Sequence, residues 1–230
     1  VFSHDLSDSN SISNNYIRDI IQDNNGLYWV ATENGLNVFD RSTYSFKSVL
    51  TNSTTFRSKH NVWALVESKN YVWVGTDREL YQVDKESLKV DKVSLLLGAD
   101  ISKLKVRKLT LLKDSVNLLI GTEGNGVIRL NIETKITDLY YQDNSLLKSN
   151  IVWDIFEDGG GKVWIATNQG LNFYNTKTSK LTSSFNYDKI IGNNIVTCIY
   201  EDKAGIVWVG TEENGLSLIH ISEPTRQKPI

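Results

Sequence analysis

The chain has 230 residues, 40% hydrophobic and 23% charged, which excludes a disordered or fibrous chain and suffices for one large domain or two small ones. With 25 basic and 27 acidic side chains the formal charge is −2, so no basic face for nucleic acid is implied. Cys198 is the one cysteine, which rules out an intrachain disulfide framework, and no apolar run approaches the roughly 18 residues that span a bilayer.

A four-residue landmark recurs about every 45 residues. Its copies are Trp29-Val30-Ala31-Thr32, Trp73-Val74-Gly75-Thr76, Leu119-Ile120-Gly121-Thr122, Trp164-Ile165-Ala166-Thr167 and Trp208-Val209-Gly210-Thr211. In chain order, residues 1–12 read as the end of a preceding unit. Units follow at 13–57, 58–103, 104–147 and 148–191, with a partial fifth at 192–215. Each landmark is preceded by an apolar run, at 16–21, 61–66, 108–112, 151–156 and 195–200. A further run follows it, and a weaker fourth is placed at 44–49 and 180–185. All are short, rich in Val, Ile, Trp, Tyr, Phe and Thr, and bounded by Gly, Asn and Asp, so they are expected as strands.

The turns between the first two strands carry Asp23 with Gly26, Asp158 with Gly161, and Asp202 with Gly205. The Asp side chain bonds backbone N–H groups two residues on, and Gly supplies positive φ. Each unit is thus expected to be a four-stranded antiparallel meander. Apolar side chains on both faces, such as Ile20 beside Ile21 and Trp29 beside Val30, require cover from like sheets. The fold class is therefore all-β, a β-propeller of four-stranded antiparallel blades, with about five blades present as a partial ring. Trp29, Trp73, Trp164 and Trp208 are expected between blades, with Leu119 leaving the third blade less tightly packed.

Residues 150–172, from Asn150 through Trp164 to Asn172, resemble the two-component regulator propeller repeat. So do Phe2-Ser3-His4-Asp5, Asn10–Asn15 and the first landmark. The resemblance spans 1–215. It departs in blade two, at 68–71 and at Arg78-Glu79, and in blade three, at Leu119 and Asn117. It implies the periplasmic sensor region of a hybrid two-component histidine kinase, with oligosaccharides as ligands. It also implies a homodimer of the full-length sensor, and membrane and kinase parts elsewhere in the parent. Residues 216–226 resemble the in-frame translation of a sequencing adaptor, so 216–230, holding both prolines (Pro224 and Pro229), is expected to be non-native. The alternative is a tail in which 216–221 continues the third strand of blade five. Cut this way, the chain is expected as an open arc with exposed blade edges.

No cofactor, metal site or catalytic constellation is expected, because His4, His60 and His220 have no ligands at metal spacing. The turn Gly121–Gly126 lacks the Lys-Ser/Thr ending of a phosphate loop. Cys198 shares a column with Asp19, Ala64, Thr110 and Asp154 and is expected to be a packed small residue. A ligand site is expected on the face built by the loops entering the first strands and joining the second and third. Its candidates are Arg18, His60, Trp63, Arg78, Arg107, Asn150 and Trp153: aromatics as platforms for sugar rings, Arg and Asn as donors to hydroxyls or carboxylates. A binding module without a small-molecule ligand, and a propeller lyase or hydrolase, are the other readings.

Overall fold

The computed structural model describes residues 1–50, 61–97, 104–183 and 191–220. Their strands form five antiparallel sheets, each a meander in sequence order. The first holds β1 (Ile17–Gln22), β2 (Tyr28–Thr32), β3 (Gly35–Asp40) and β4 (Ser45–Leu50). The second holds β5 (Val62–Glu67), β6 (Tyr71–Thr76), β7 (Leu80–Asp84) and β8 (Val90–Lys92). The third holds β9 (Val106–Leu111), β10 (Asn117–Thr122), β11 (Val127–Asn131) and β12 (Thr137–Tyr140). The fourth holds β13 (Val152–Glu157), β14 (Val163–Thr167), β15 (Gly170–Asn175) and β16 (Lys180–Ser183). The fifth holds β17 (Val196–Glu201), β18 (Ile206–Thr211) and β19 (Leu216–His220).

The sheets stand as propeller blades, with β1, β5, β9, β13 and β17 packed side by side along the inner edge. The recurring tetrad explains this packing position by position. Trp29, Trp73 and Trp164 are buried between their own blade and the next, beside Val62, Val106 and Val196 respectively. Each buried indole removes about 150–250 Å² from water, an upper contribution of about 4–6 kcal/mol. The small third residue leaves room for the next blade's first valine. A Cβ on Gly75 would stand 2.3 Å from Val106 Cγ1, and one on Gly121 would stand 2.8 Å from Val152 Cγ1. The threonine closes the hairpin that follows: in all five blades its hydroxyl donates to a backbone carbonyl three or four residues on, such as Thr167 to Gly170 at 2.9 Å.

The indoles and the turn aspartates form one device. Asp23, Asp158 and Asp202 each accept the Nε1–H of the tryptophan six residues on, at 2.8, 2.7 and 2.9 Å. Their other carboxylate oxygen accepts turn N–H groups, as Asp158 does from Lys162 at 2.8 Å. In blade two Ser68 takes the role for Trp73 at 3.1 Å. Blade three exchanges both partners. Leu112 stands where the aspartate stands elsewhere and Leu119 replaces the tryptophan, and both are buried in the apolar core shared with blade four. The position is not loose, because the polar pair has been replaced by an apolar one.

Two faces at the ends of the row are uncovered among the described residues. Ile20 is 57% exposed on blade one, and Tyr200 and Leu216 are 63% and 64% exposed on blade five. Cys198 also lies on the uncovered side of blade five and is exposed, not packed. Residues 1–12 contain no strand; Phe2 lies edge-on against Phe39 and Phe46, with ring centroids 5.0 and 5.3 Å apart. Pro224, Pro229 and Arg226 fall outside the described residues.

Candidate functional site

The inner strand of every blade carries a β-bulge at the same place. Pairing with the second strand skips one residue between Ile17 and Asp19, Val62 and Ala64, Val152 and Asp154, and Val196 and Cys198. In blade three the skip falls between Val106 and Lys108. This corrects the column assigned to Cys198: its blade-three member is Lys108, which pairs with Gly121, and not Thr110, which pairs with Leu119. A bulge leaves one residue unpaired and re-aims its side chain. Here the released residues are Arg18, Trp63, Arg107, Trp153 and Thr197.

Just past each bulge, the residue after the tetrad threonine donates its N–H to the residue that precedes the inner strand. Glu33 bonds Tyr16 at 3.1 Å, Asp77 bonds Asn61 at 3.1 Å, Glu123 bonds Lys105 at 2.9 Å, Asn168 bonds Ile151 at 3.2 Å and Glu212 bonds Ile195 at 3.0 Å. In blades one, three and four this extra rung sets a polar side chain beside the released residue. Arg18 is ion-paired with Glu33, and Arg107 with Glu123. The Trp153 Nε1–H donates to Asn168 Oδ1 at 2.6 Å.

Along the mouth these groups alternate as cation and indole. The Arg18 guanidinium carbon lies 4.2 Å from the Trp63 ring centroid, approaching from blade one, and that of Arg107 lies 3.9 Å from it, approaching from blade three. Arg107 also lies 5.7 Å from the Trp153 ring. Burial lowers the pKa of Arg107 from its usual value, the neighbouring Arg18 adds to that, and Asp77 opposes it. Two buried polar atoms at this mouth have no partner: Arg107 Nε, a donor, and Asp77 Oδ1, an acceptor. A hydroxyl can donate to Asp77 Oδ1 or accept from Arg107 Nε–H, whereas a carboxylate can serve only the arginine; an unpaired buried polar atom costs about 1–3 kcal/mol. Two guanidiniums in contact with Trp63 also mean that a sugar ring stacks there only by displacing one of them.

One layer below, a second polar set ties the blades. Asp19 Oδ2 accepts the N–H of Leu65 in blade two at 2.8 Å, and Asp154 Oδ2 that of Ile199 in blade five at 2.8 Å. The Lys108 ammonium reaches Asp154 at 2.9 Å. Burial raises the Asp19 pKa, against the lowering effects of the Leu65 and Ile20 N–H groups and Lys108.

Of the sequence candidates, Arg18, Trp63, Arg107 and Trp153 converge. Arg78 and Asn150 serve the loops. The Arg78 N–H donates to Thr76 Oγ1 at 3.2 Å and its carbonyl accepts from Leu104 at 2.8 Å. Asn150 accepts from Gly124 and Gly126 through its carbonyl and from Gln142 through its side chain, all at 2.9 Å. His60 lies outside the described residues. Glu33, Asp77, Glu123 and Asn168 were missed, although each directly follows a tetrad threonine.

Residues 11–34, 146–169 and 190–213 match the two component regulator propeller family. No curated protein matches the sequence. Among solved structures, the extracellular domain of a hybrid two component system from B. thetaiotaomicron is 24% identical with a TM-score of 0.77; the alignment covers 95% of this chain and 29% of that one. Virginiamycin B lyase from Staphylococcus aureus is 13% identical with a TM-score of 0.62, covering 91% of this chain and 71% of that one. A chain of the Mitotic Checkpoint Complex is 14% identical with a TM-score of 0.65, covering 90% and 61%. At these identities the likeness is one of fold. The chain is a row of β-propeller blades, of which the first, fourth and fifth carry stretches that match the two component regulator propeller family.

Proposed function

We propose that this chain is the ligand-sensing propeller segment of a bacterial hybrid two-component sensor histidine kinase, that it lies in the periplasm, and that its channel mouth receives an oligosaccharide. The observation that carries the reading is the row Arg18, Trp63, Arg107 and Trp153 on neighbouring inner strands, of which Arg18 and Trp153 fall within stretches that match the two component regulator propeller family. Guanidiniums offer forked donors to hydroxyls and carboxylates, and indoles offer apolar faces. Neither exchanges protons near neutral pH, so the row suits holding a ligand and not turning one over. A ligand that takes Arg107 from Trp63 also changes the contact between blades two and three. That gives binding a mechanical consequence, to be passed to kinase and transcription modules of a homodimeric parent.

The test is calorimetric titration with neutral and uronate-containing oligosaccharides, repeated on Arg107→Ala. Heat from at least one glycan, weakened by the substitution, is expected; no heat from any glycan sinks the proposal. A second reading, a docking module without a small-molecule ligand, draws on the exposed apolar residues Ile17, Ile20, Tyr200 and Leu216. Concentration-dependent self-association with no glycan response would favour it.

A further inference from the structure

The face opposite the channel mouth carries a repeated clasp that one interface lacks. The last residue of three inner strands reaches the first hairpin of the preceding blade. Glu67 Oε1 accepts the N–H of Asn24 at 2.9 Å, Glu157 Oε2 that of Lys113 at 2.7 Å, and Glu201 Oε2 that of Gly159 at 2.6 Å. These three interfaces join blades one and two, three and four, and four and five. In each, the donor is the residue just after the one that leads the turn: Asp23, Leu112 or Asp158.

Between blades two and three the corresponding donor is the N–H of Lys69, which follows Ser68. The corresponding acceptor position holds Leu111, which pairs with Leu118 as Glu67 pairs with Val72 and Glu157 with Val163. Leucine offers no oxygen, and the Lys69 N–H has no acceptor among the described residues. At this point a cleft of about 730 Å³ opens, lined by Lys69, Tyr71, Trp73, Leu111, Val116 and Lys135. That is within the roughly 300–1,000 Å³ range of small-molecule sites. The Lys135 ammonium lies 5.4 Å from the Trp73 ring centroid. Three acids border the cleft. Glu67 is engaged by Lys85 at 2.6 Å and by the Asn24 N–H, and Asp114 by the Val116 and Asn117 N–H groups at 2.9 Å. Glu133 stands on the rim opposite Lys69 and Lys135 in charge.

We propose that this cleft binds a small organic carboxylate. One carboxylate oxygen takes the place on the Lys69 N–H that a glutamate oxygen takes at the three other interfaces. The Lys69 and Lys135 ammoniums add charge, which shortens and strengthens such bonds. Leu111 and Val116 meet the carbon skeleton. This site is independent of the channel mouth and stands whether or not the mouth binds sugar.

The test uses the full chain, labelled with nitrogen-15 and titrated with galacturonate and, separately, with galactose, which differs by the missing carboxylate. The Lys69 amide proton is expected to move downfield with galacturonate and to stay fixed with galactose. Leu111→Glu writes the absent clasp into the chain and is expected to weaken galacturonate about tenfold or more. Lys135→Ala, at an exposed turn, is expected to weaken it several-fold and covers the case in which Leu111→Glu disturbs folding. Affinity is read from the Lys69 amide, so that binding at the opposite face does not enter the comparison. An unmoved Lys69 amide, equal binding of galactose, or unaltered affinity in both cleft variants overturns the proposal.

Discussion

The Arg107 guanidinium carbon lies 3.9 Å from the centroid of the Trp63 ring, across the interface between blades two and three. Both residues are released by a bulge, and the repetition of that bulge in neighbouring inner strands is what brings them into register. A cation over an indole contributes about 0.5–2 kcal/mol, more as water is excluded. A double-mutant cycle on Trp63→Ala and Arg107→Ala, read by urea unfolding, should give a coupling energy in that range. Coupling near zero would mean that the two merely lie close together.

The aspartate–indole bond predicts unequal costs for one substitution made in two blades. Asp158→Ala removes the carboxylate acceptor of the buried Trp164 N–H and should cost about 2–3 kcal/mol. Asp202→Ala does the same to Trp208, which is only half-buried, so water can replace the bond and the cost should be about 1 kcal/mol or less. Equal losses in chemical denaturation would contradict this account of the repeat.

Gly75→Ala tests the small position of the tetrad. The new Cβ would meet Val106 Cγ1 at 2.3 Å, an overpacking that should cost about 1–3 kcal/mol. Adding Val106→Ala should relieve the clash but leave a cavity, so the double variant should fall short of the sum of the two single losses. Strict additivity in urea midpoints would show that the two positions are not in contact.

Asp114 predicts a pH dependence. Burial opposes its charge, but the Asn117 side-chain amide at 2.6 Å and the N–H groups of Asn117 and Val116 together hold its pKa below the usual 3.8. A lowered folded-state pKa contributes stability above the unfolded-state value, lost as pH falls through the folded one. Asp114→Asn should therefore lower Tm near neutrality, with the gap from wild type closing as pH drops below 3.8. A gap that stayed constant down through acid pH would assign the effect to packing and not to charge.

The sequence made the meander legible because its signals are local: the tetrad, the Asp-to-Gly turns and the β-rich runs. Arg18, Trp63, Arg107 and Trp153 could be chosen because they lie where the loops enter the inner strands, although the blade-three column read from the sequence was two residues off and did not contain Arg107. What it hid depended on register and on neighbours. The inner strand of blade three starts at Val106, two residues before the apolar run, because the alternation there is carried by Arg107 and Lys108. Leu119 was visible in place of the indole, but its pairing with Leu112 in place of the aspartate was not, because the two positions meet only after the hairpin closes. The clasp of Glu67, Glu157 and Glu201 spans consecutive blades and has no short-range signature. Cys198 looked packed from its column but is exposed, because its side of blade five has no neighbouring sheet among the described residues.

The most direct measurement is nuclear magnetic resonance of the indole Nε1–H groups. The chain has six tryptophans, so the signals are few enough to assign. Oligosaccharide added to the labelled chain should move the Trp63 and Trp153 signals. Those of Trp29, Trp73 and Trp164, which are buried between blades and bonded to Asp23, Ser68 and Asp158, should stay fixed. Saturable binding that leaves Trp63 and Trp153 unmoved would contradict the channel mouth as the sensing site.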